Sequence, residues 1–438
     1  MSQLLVAQRA LTVPGWAKDA LWRNARAVPS LDLRFADNKS LVDAATGASL
    51  ITFTRASSGT YVGSDGVLQT AATDVPRFDH NPTTRESLGL LVEEQRTNLL
   101  LRSEEFDNVT WGALNVTVSA NTQVAPDGVT SADTITDVNG VTSANVGCFQ
   151  STTLADSTTY AMSCYVKAGT KTTCRVGIRD KVGTTISANF NLTTASTTVG
   201  NAVSSTIQDA GNGWYRCTAI CASLTGATSP RGLVFMDTGS YTANGTGTIH
   251  VYGADLQAGA FPTSYIPTTS ATVTRAADVA SITGAAFTSF YNQTEGTVFA
   301  DLVTSSRGHN SYPRIVAFLD SDINNGNEAS IYTRNIGTAE DYRLFGVYSD
   351  GVGSAADFNP GSGAPLGSGR VAMAIKNNDG GYCVNGATPL SDTSCTRPAP
   401  IQLRLFGQAR FQPASSGYIK RLTYWPQALP SRLQALTQ

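Results

Sequence analysis

The chain has 438 residues, about three times the roughly 150 that a single compact domain commonly holds, so several packed units are expected. Thirty-one Lys and Arg against 33 Asp and Glu leave a formal charge of −2, which excludes the basic surface that binds nucleic acid or an anionic membrane without sequence preference. Charged residues are 15 % of the chain, against a usual figure of about 25 %, and Thr, Ser, Gly and Asn fill the gap. β-branched Thr and Val suit a pleated surface, Gly and Asn suit tight turns, and a helical bundle is disfavoured.

Residues 1–29 differ from the rest, with Ala, Leu, Trp and Arg at helix-forming density interrupted by Pro14 and Gly15. A short helical arm is expected, with Ala17, Leu21 and Trp22 on one face. Trp16 and Trp22 either pack on their own chain or dock on a neighbouring subunit; the arm is taken as a docking element formed by Trp16, Leu21 and Trp22. The start of the chain lacks a basic leader before its short apolar run, and no stretch approaches the roughly 18 apolar residues of a membrane span, so neither signal peptide nor anchor is expected.

From Leu31 the pattern turns to short alternating runs, with Asp65-Gly66 as a hairpin signal inside GTYVGSDGVLQTA. Residues 30–97 read as a small β unit and an extended connector leading to a buried strand at Leu99 to Leu101. Over 98–270 strand-like runs such as YAMSCYVKAG, CRVGIRD and WYRCTAICA recur at the spacing of a two-sheet sandwich. Pro262 and Pro267 mark an ordered linker. Residues 271–438 repeat the pattern from GTVFADLV to GYIKRLTYWP, with hairpin turns at NNDGGY and Asn385-Gly386, and end in a helical tail. The fold class expected is all-β: an N-terminal arm, a small β unit and two antiparallel sandwiches. No repeat of 20–50 residues points to a solenoid or propeller.

Two blocks carry a resemblance. TFTRASSGTYVGSDGVLQTAATDVPRFDHNPTTRESLGLLVEEQRTNLLLRSEEF and GAFPTSYIPTTSATVTRAADVASI resemble stretches of tailed-bacteriophage virion proteins. The section from NLLLRSEEFDNVTW to IHVYGADLQAG is similar to carbohydrate-binding-module jelly rolls, whose opening and closing strands pair. The C-terminal section resembles laminin-G or concanavalin-like lectin domains. The resemblance implies a structural protein at the virion surface, as capsid decoration, head fibre or tail fibre. It also implies a homotrimer, other virion proteins as partners through the arm, and host surface glycans as ligands.

Catalytic signatures are weak. His80, His250 and His309 lie far apart, none in HExxH, and no Ser sits in GxSxG. A glycosidase needs two carboxylates about 5 to 9.5 Å apart, whereas the neighbours Glu104 and Glu105 would point to opposite faces of a strand. No enzymatic activity is expected, the alternative being a tail-associated receptor-binding protein or polysaccharide depolymerase. Sugar binding calls for aromatic faces flanked by amides and carboxylates, and the candidates are Trp111, Trp214, Tyr215, Tyr342, Phe345 and Tyr348. An aromatic in an alternating strand commonly faces the core instead. Asp320, Asp322 and Asn324 begin like a calcium loop, but Asn325 and Ile331 stand where Gly and Glu belong, and a polar hairpin turn fits as well; no cofactor is expected, with calcium as the candidate exception. Arg55 and Arg275 call for acidic partners, Asp278 or Glu295. The seven cysteines show no CxxC pair and read as buried thiols, with Cys383 and Cys395 as a candidate hairpin bridge.

Overall fold

The computed structural model describes residues 15–143, 145–304, 313–320, 327–335, 342–352, 355–360, 368–406 and 416–438. It is all-β with short helices at both ends of the described chain, and its strands form two antiparallel sandwiches.

The middle sandwich stacks two sheets. One runs, in spatial order, Ser204–Asp209, Trp214–Ala222, Thr159–Ala168, Thr248–Ala258, Thr130–Asp137 and Val116–Val124. The other runs Ser196–Thr198, Thr185–Asn191, Thr173–Arg179, Arg231–Met236, Gly147–Ser151 and Gly112–Leu114. Alternation decides which side chains meet between them: along Thr159–Ala168, Tyr160, Met162, Cys164 and Val166 enter the core, while Ser163, Tyr165 and Lys167 take the outer face. The opening and closing segments meet where Leu99 donates its N–H to the Leu256 carbonyl at 2.9 Å. The paired strand is Arg96–Asn98, against Val273–Arg275, rather than residues 99–101.

The second sandwich is not confined to residues 271–438. Its central strand Gly417–Trp425 pairs with Glu295–Thr304 on one side and with Ser87–Val92 and Leu31–Leu33 on the other, and Arg77–His80 extends the sheet beyond Ser87–Val92. In the facing sheet Thr52–Thr54 pairs with Val279–Thr283. Leu31, Leu33, Phe35, Phe53, Leu90 and Val92 are buried in the same core as Ile282, Val298 and Tyr424. Residues 30–97 are therefore no separate unit. They are too short in apolar strand to bury a core alone, and the chain closes the second sandwich from its two distant ends, with the middle sandwich inserted between.

The N-terminal helix is corrected in the same direction. Asp19 caps Ala20–Ala25 by accepting the N–H groups of Leu21 and Trp22. Leu21 and Trp22 are buried against Phe299, Trp425, Leu433 and Leu436, and the Trp22 indole donates to Asp32. Burying an apolar side chain of this size is worth about 1.5–3 kcal/mol, which draws Leu21 and Trp22 onto their own chain rather than presenting them to a neighbour. The backbone of Trp16 lies in the 3-10 turn Gly15–Lys18; its side chain is outside the described residues. The tail forms as expected, with helix Leu433–Thr437 completing this small core.

All seven cysteines are free and buried. Cys383 and Cys395 do not bridge: the Cys383 thiol meets Thr437 and the Cys395 thiol meets Tyr348, across different layers.

Candidate functional site

A buried ion cluster gathers the second sandwich's N-terminal and later segments around the linker that leaves the middle sandwich. Arg55 and Arg77, from the N-terminal segments, meet Asp278 at 3.1 and 2.5 Å, and Arg77 and Arg275 meet Glu93 at 2.9 and 3.6 Å. Three guanidiniums face two carboxylates, so backbone carbonyls take up remaining donors: Arg55 donates to Ser57 and Ala72, Arg77 to Thr60, and Arg275 to Ala276 and Glu94. Burial pushes Glu93 upward, but Arg275, Arg77 and the hydrogen bonds from Ser264 outweigh it and hold the carboxyl at about 2. Both Thr-Arg motifs thus act structurally. Of the two expected partners Asp278 is used, whereas Glu295 pairs with Lys376.

Beside this cluster lies a cleft of about 560 Å³. One wall is the outer face of the middle sandwich, with Ser204, Thr206, Gln208, Arg216 and Ile220. The opposite wall comes from the hairpin Gly59–Val62 and Leu68–Ala71 and the strand after it, with Tyr61, Val62, Leu68, His80 and Pro82. Val303 and Tyr418 of the second sandwich and the linker residues Phe261 to Tyr265 complete it.

Ser204, Thr206 and Gln208 share one face of the edge strand Ser204–Asp209, because alternate residues of a strand point the same way, while Ile207 packs on the core. Among the described residues their side chains make no hydrogen bond. At about 3.3 Å rise per residue the ladder covers roughly 13 Å. Cross-strand register continues each rung over the sheet: Thr206 pairs with Thr218, Thr218 with Ser163 and Ser163 with Asp255. In this row Thr218 Oγ1 and Asp255 Oδ1 are buried without a partner among the described residues. All three of Thr218, Ser163 and Asp255 lie beneath the cleft wall rather than on it, so only the edge rung of the row, Thr206, reaches the cleft.

The charged groups of the cleft are held tightly. Burial pushes Asp79 up to about 6, against hydrogen bonds from the N–H of Val62, the Tyr418 hydroxyl and the N–H of His80. His80 Nδ1 lies 3.2 Å from the Val62 carbonyl, the position of a donor, and Nε2 is buried with no partner among the described residues. Asp255 is pushed up by burial to about 7, against Arg216, Gln257 and the N–H of Ile266. Arg216 donates from Nη1 to the Thr263 carbonyl at 2.7 Å and from Nε and Nη2 to Ser163 Oγ at 3.3 and 3.1 Å.

The aromatic candidates read from sequence fall elsewhere. Trp111 stacks on Phe106 at 4.5 Å and donates to the Arg102 carbonyl; Trp214, 1 % exposed, donates to the Val124 carbonyl. Phe345 stacks on Tyr332, and the Tyr348 hydroxyl donates to the Lys376 carbonyl. These four are core residues and present no ring to a ligand, since burying their large apolar area is what holds the layers together. Tyr215 is half-buried and packs on the core of the middle sandwich. The side chain of Tyr342 lies outside the described residues. Of the calcium candidates, Asp320 accepts from Asn327 Nδ2 at 3.1 Å, and Asp322 and Asn324 lie outside the described residues. Among the described residues no three or more His, Cys, Asp or Glu gather as a metal site requires. Sequence reading missed the Ser204–Gln208 ladder, although SSTIQD carries its signal: hydroxyl or amide groups at every second position around one inward Ile.

No protein-family model and no curated protein matches the chain. Among solved structures, domain 4 of AbnA, a GH43 extracellular arabinanase from Geobacillus stearothermophilus in complex with arabinotriose, is similar at 16 % identity and TM-score 0.28, over 37 % of this chain and 73 % of that one. The CBM40 of Ruminococcus gnavus IT-sialidase is similar at 17 % and 0.27, over 34 % and 84 %. The CBM22-1-CBM22-2 tandem domain of Paenibacillus barcinonensis Xyn10C is similar at 10 % and 0.25, over 76 % and 98 %. Scores this low carry no inference about ligand or activity.

Proposed function

We propose that the chain is a non-enzymatic structural protein of a tailed-phage virion, displayed on the particle surface as a capsid decoration, head fibre or tail fibre, whose inter-sandwich cleft binds host surface glycans. The virion assignment is supported by the two sequence blocks around Arg55 and Arg275, which here supply the ion cluster. A homotrimer held to other virion proteins belongs to the same reading by analogy.

The glycan assignment rests on one observation: Ser204, Thr206 and Gln208 present three uncommitted hydroxyl and amide groups in line along the cleft, opposite Tyr61 and Leu68. A saccharide combines hydroxyls at its edges with an apolar ring face, and this pairing of walls meets both. Individually weak sites become useful on a particle that carries many copies.

A depolymerase reading draws on Asp79 and Glu93, two carboxylates that line the same cleft and have widely separated proton affinities. The non-enzymatic reading is favoured because both are committed. Glu93 is bound by two arginines and Ser264, and Asp79 by two backbone N–H groups and Tyr418. Incubating the full chain with host polysaccharide separates the two. Retention on the polysaccharide with unchanged chain length by size-exclusion chromatography is expected; shortened chains would establish the depolymerase, and absence of retention would remove the glycan role. Labelling of intact particles by an antibody against the chain tests the virion assignment.

A further inference from the structure

Resting on the reading of the cleft as a glycan site, we infer that its ligand is an uncharged oligosaccharide of at least two rings, and that sialylated or uronate-bearing glycans are rejected.

The charge inventory carries the first half. Recognition of a carboxylate ordinarily uses a guanidinium fork with free N–H groups. Arg216 is the only Arg or Lys lining the cleft among the described residues, and three of its five N–H donors are directed at Thr263 and Ser163, with Asp255 at 3.6 Å behind them. Three carboxylates line the same space: Asp79, Glu93 and Asp209. Asp209 is exposed beside the ladder, and accepts from the Thr83 hydroxyl at 2.8 Å and the Gly211 N–H at 2.8 Å, which fixes its charge in place. Glu93 is balanced by Arg77 and Arg275, so the negative groups an acidic sugar entering here would meet are Asp79 and Asp209, while the one guanidinium in the lining is turned toward Ser163, Thr263 and Asp255. Neutral hydroxyls meet donors and acceptors in Ser204, Thr206 and Gln208 at no such penalty.

The length of the ladder carries the second half. Its roughly 13 Å from first to last rung exceeds what one pyranose ring can touch, so a monosaccharide leaves a rung unused. Rungs that each contribute only when occupied make affinity rise with the number of rings.

The test is titration calorimetry on the full chain with matched pairs: lactose against 3′-sialyllactose, and galactose oligomers of one to four rings against galacturonate oligomers of the same lengths. Binding of neutral sugars, strengthening from one ring to two or three and weakened about tenfold or more by the acidic group, is expected. Gln208→Ala and Thr206→Val should each lower neutral affinity several-fold without moving the unfolding midpoint. Asp209→Asn should narrow the gap between the members of each pair. Acidic members binding as tightly as their neutral counterparts, with the binding lost in Gln208→Ala, would overturn this inference while leaving the cleft a glycan site. Equal affinity for one ring and three would overturn the length claim. No heat from any sugar, together with no retention on host polysaccharide, would overturn the glycan reading itself.

Discussion

Ser264 donates two hydrogen bonds to Glu93, its backbone N–H to Oε1 at 2.7 Å and its hydroxyl to Oε2 at 2.6 Å. The contact joins the linker after the middle sandwich to a segment that enters before it. Both segments are clamped at the same place by Arg77 and Arg275.

Acid should therefore loosen the molecule through Glu93. Its folded pKa of about 2 lies below the ordinary 4.5, so its stabilisation is fully present above about pH 4.5 and disappears as pH falls toward 2. The shift corresponds to about 3 kcal/mol. Glu93→Gln should lower the urea midpoint at neutral pH and lose most of the wild-type acid dependence in this range. An unchanged midpoint would mean that the cluster does not stabilise the fold. Asp278→Ala, which strands Arg55 in the interior and leaves Arg77 with Glu93 alone, should cost more, about 3–5 kcal/mol.

Asp79 works in the opposite sense. Its folded value of about 6 exceeds the ordinary 3.8, so the folded state binds the extra proton and the contribution of Asp79 to stability falls as pH rises from about 4 to about 6. Asp79→Asn keeps an acceptor for the N–H groups of Val62 and His80 and can donate to Tyr418. Unfolding measured across this range should show a flatter profile in the variant, with the largest gain above pH 6. A profile parallel to wild type would place the charge of Asp79 in water rather than in the cleft wall.

Trp22 is a stability determinant in this fold, with its indole N–H on Asp32 at 3.1 Å and its ring in the small core beside Trp425. Trp22→Ala should cost about 3–5 kcal/mol, and Trp22→Phe substantially less, because Asp32 keeps Arg421 and Thr423. A thermal midpoint insensitive to Trp22→Ala would restore the docking arm as an independent element.

The thiols offer a check on packing. All seven cysteines are buried away from a disulfide reagent, and burial pushes Cys148 and Cys221 up to about 12, so the reactive thiolate is scarce at those two. Titration with an aromatic disulfide should count none of the seven in native protein and all of them in denaturant. Rapid native reaction at one site would identify a strand that opens locally.

The alternation in YAMSCYVKAG and WYRCTAICA fixes strand and face together, because a period of two admits one apolar side. Asp65-Gly66 and Asn385-Gly386 mark their turns by the same local logic: Gly66, Asn385 and Gly386 take positive φ. The all-β class and both sandwiches are thus written in short windows. What those windows lack is the identity of distant partners. Leu31–Leu33 reads as an isolated apolar run until Gly417–Trp425 stands beside it, and Trp22 reads as exposed until Leu433 and Trp425 cover it. Aromatic content likewise nominated Trp111, Trp214, Phe345 and Tyr348 as ligand platforms, although their area is what the layers need for cohesion. The cleft belongs to neither sandwich. Its ladder comes from Ser204–Asp209, its opposing wall from residues 59–82 and its remaining boundary from residues 261–265, 303 and 418. Periodicity acts over a few residues and is legible in sequence, whereas a surface assembled from segments more than two hundred residues apart exists only once both sandwiches have closed.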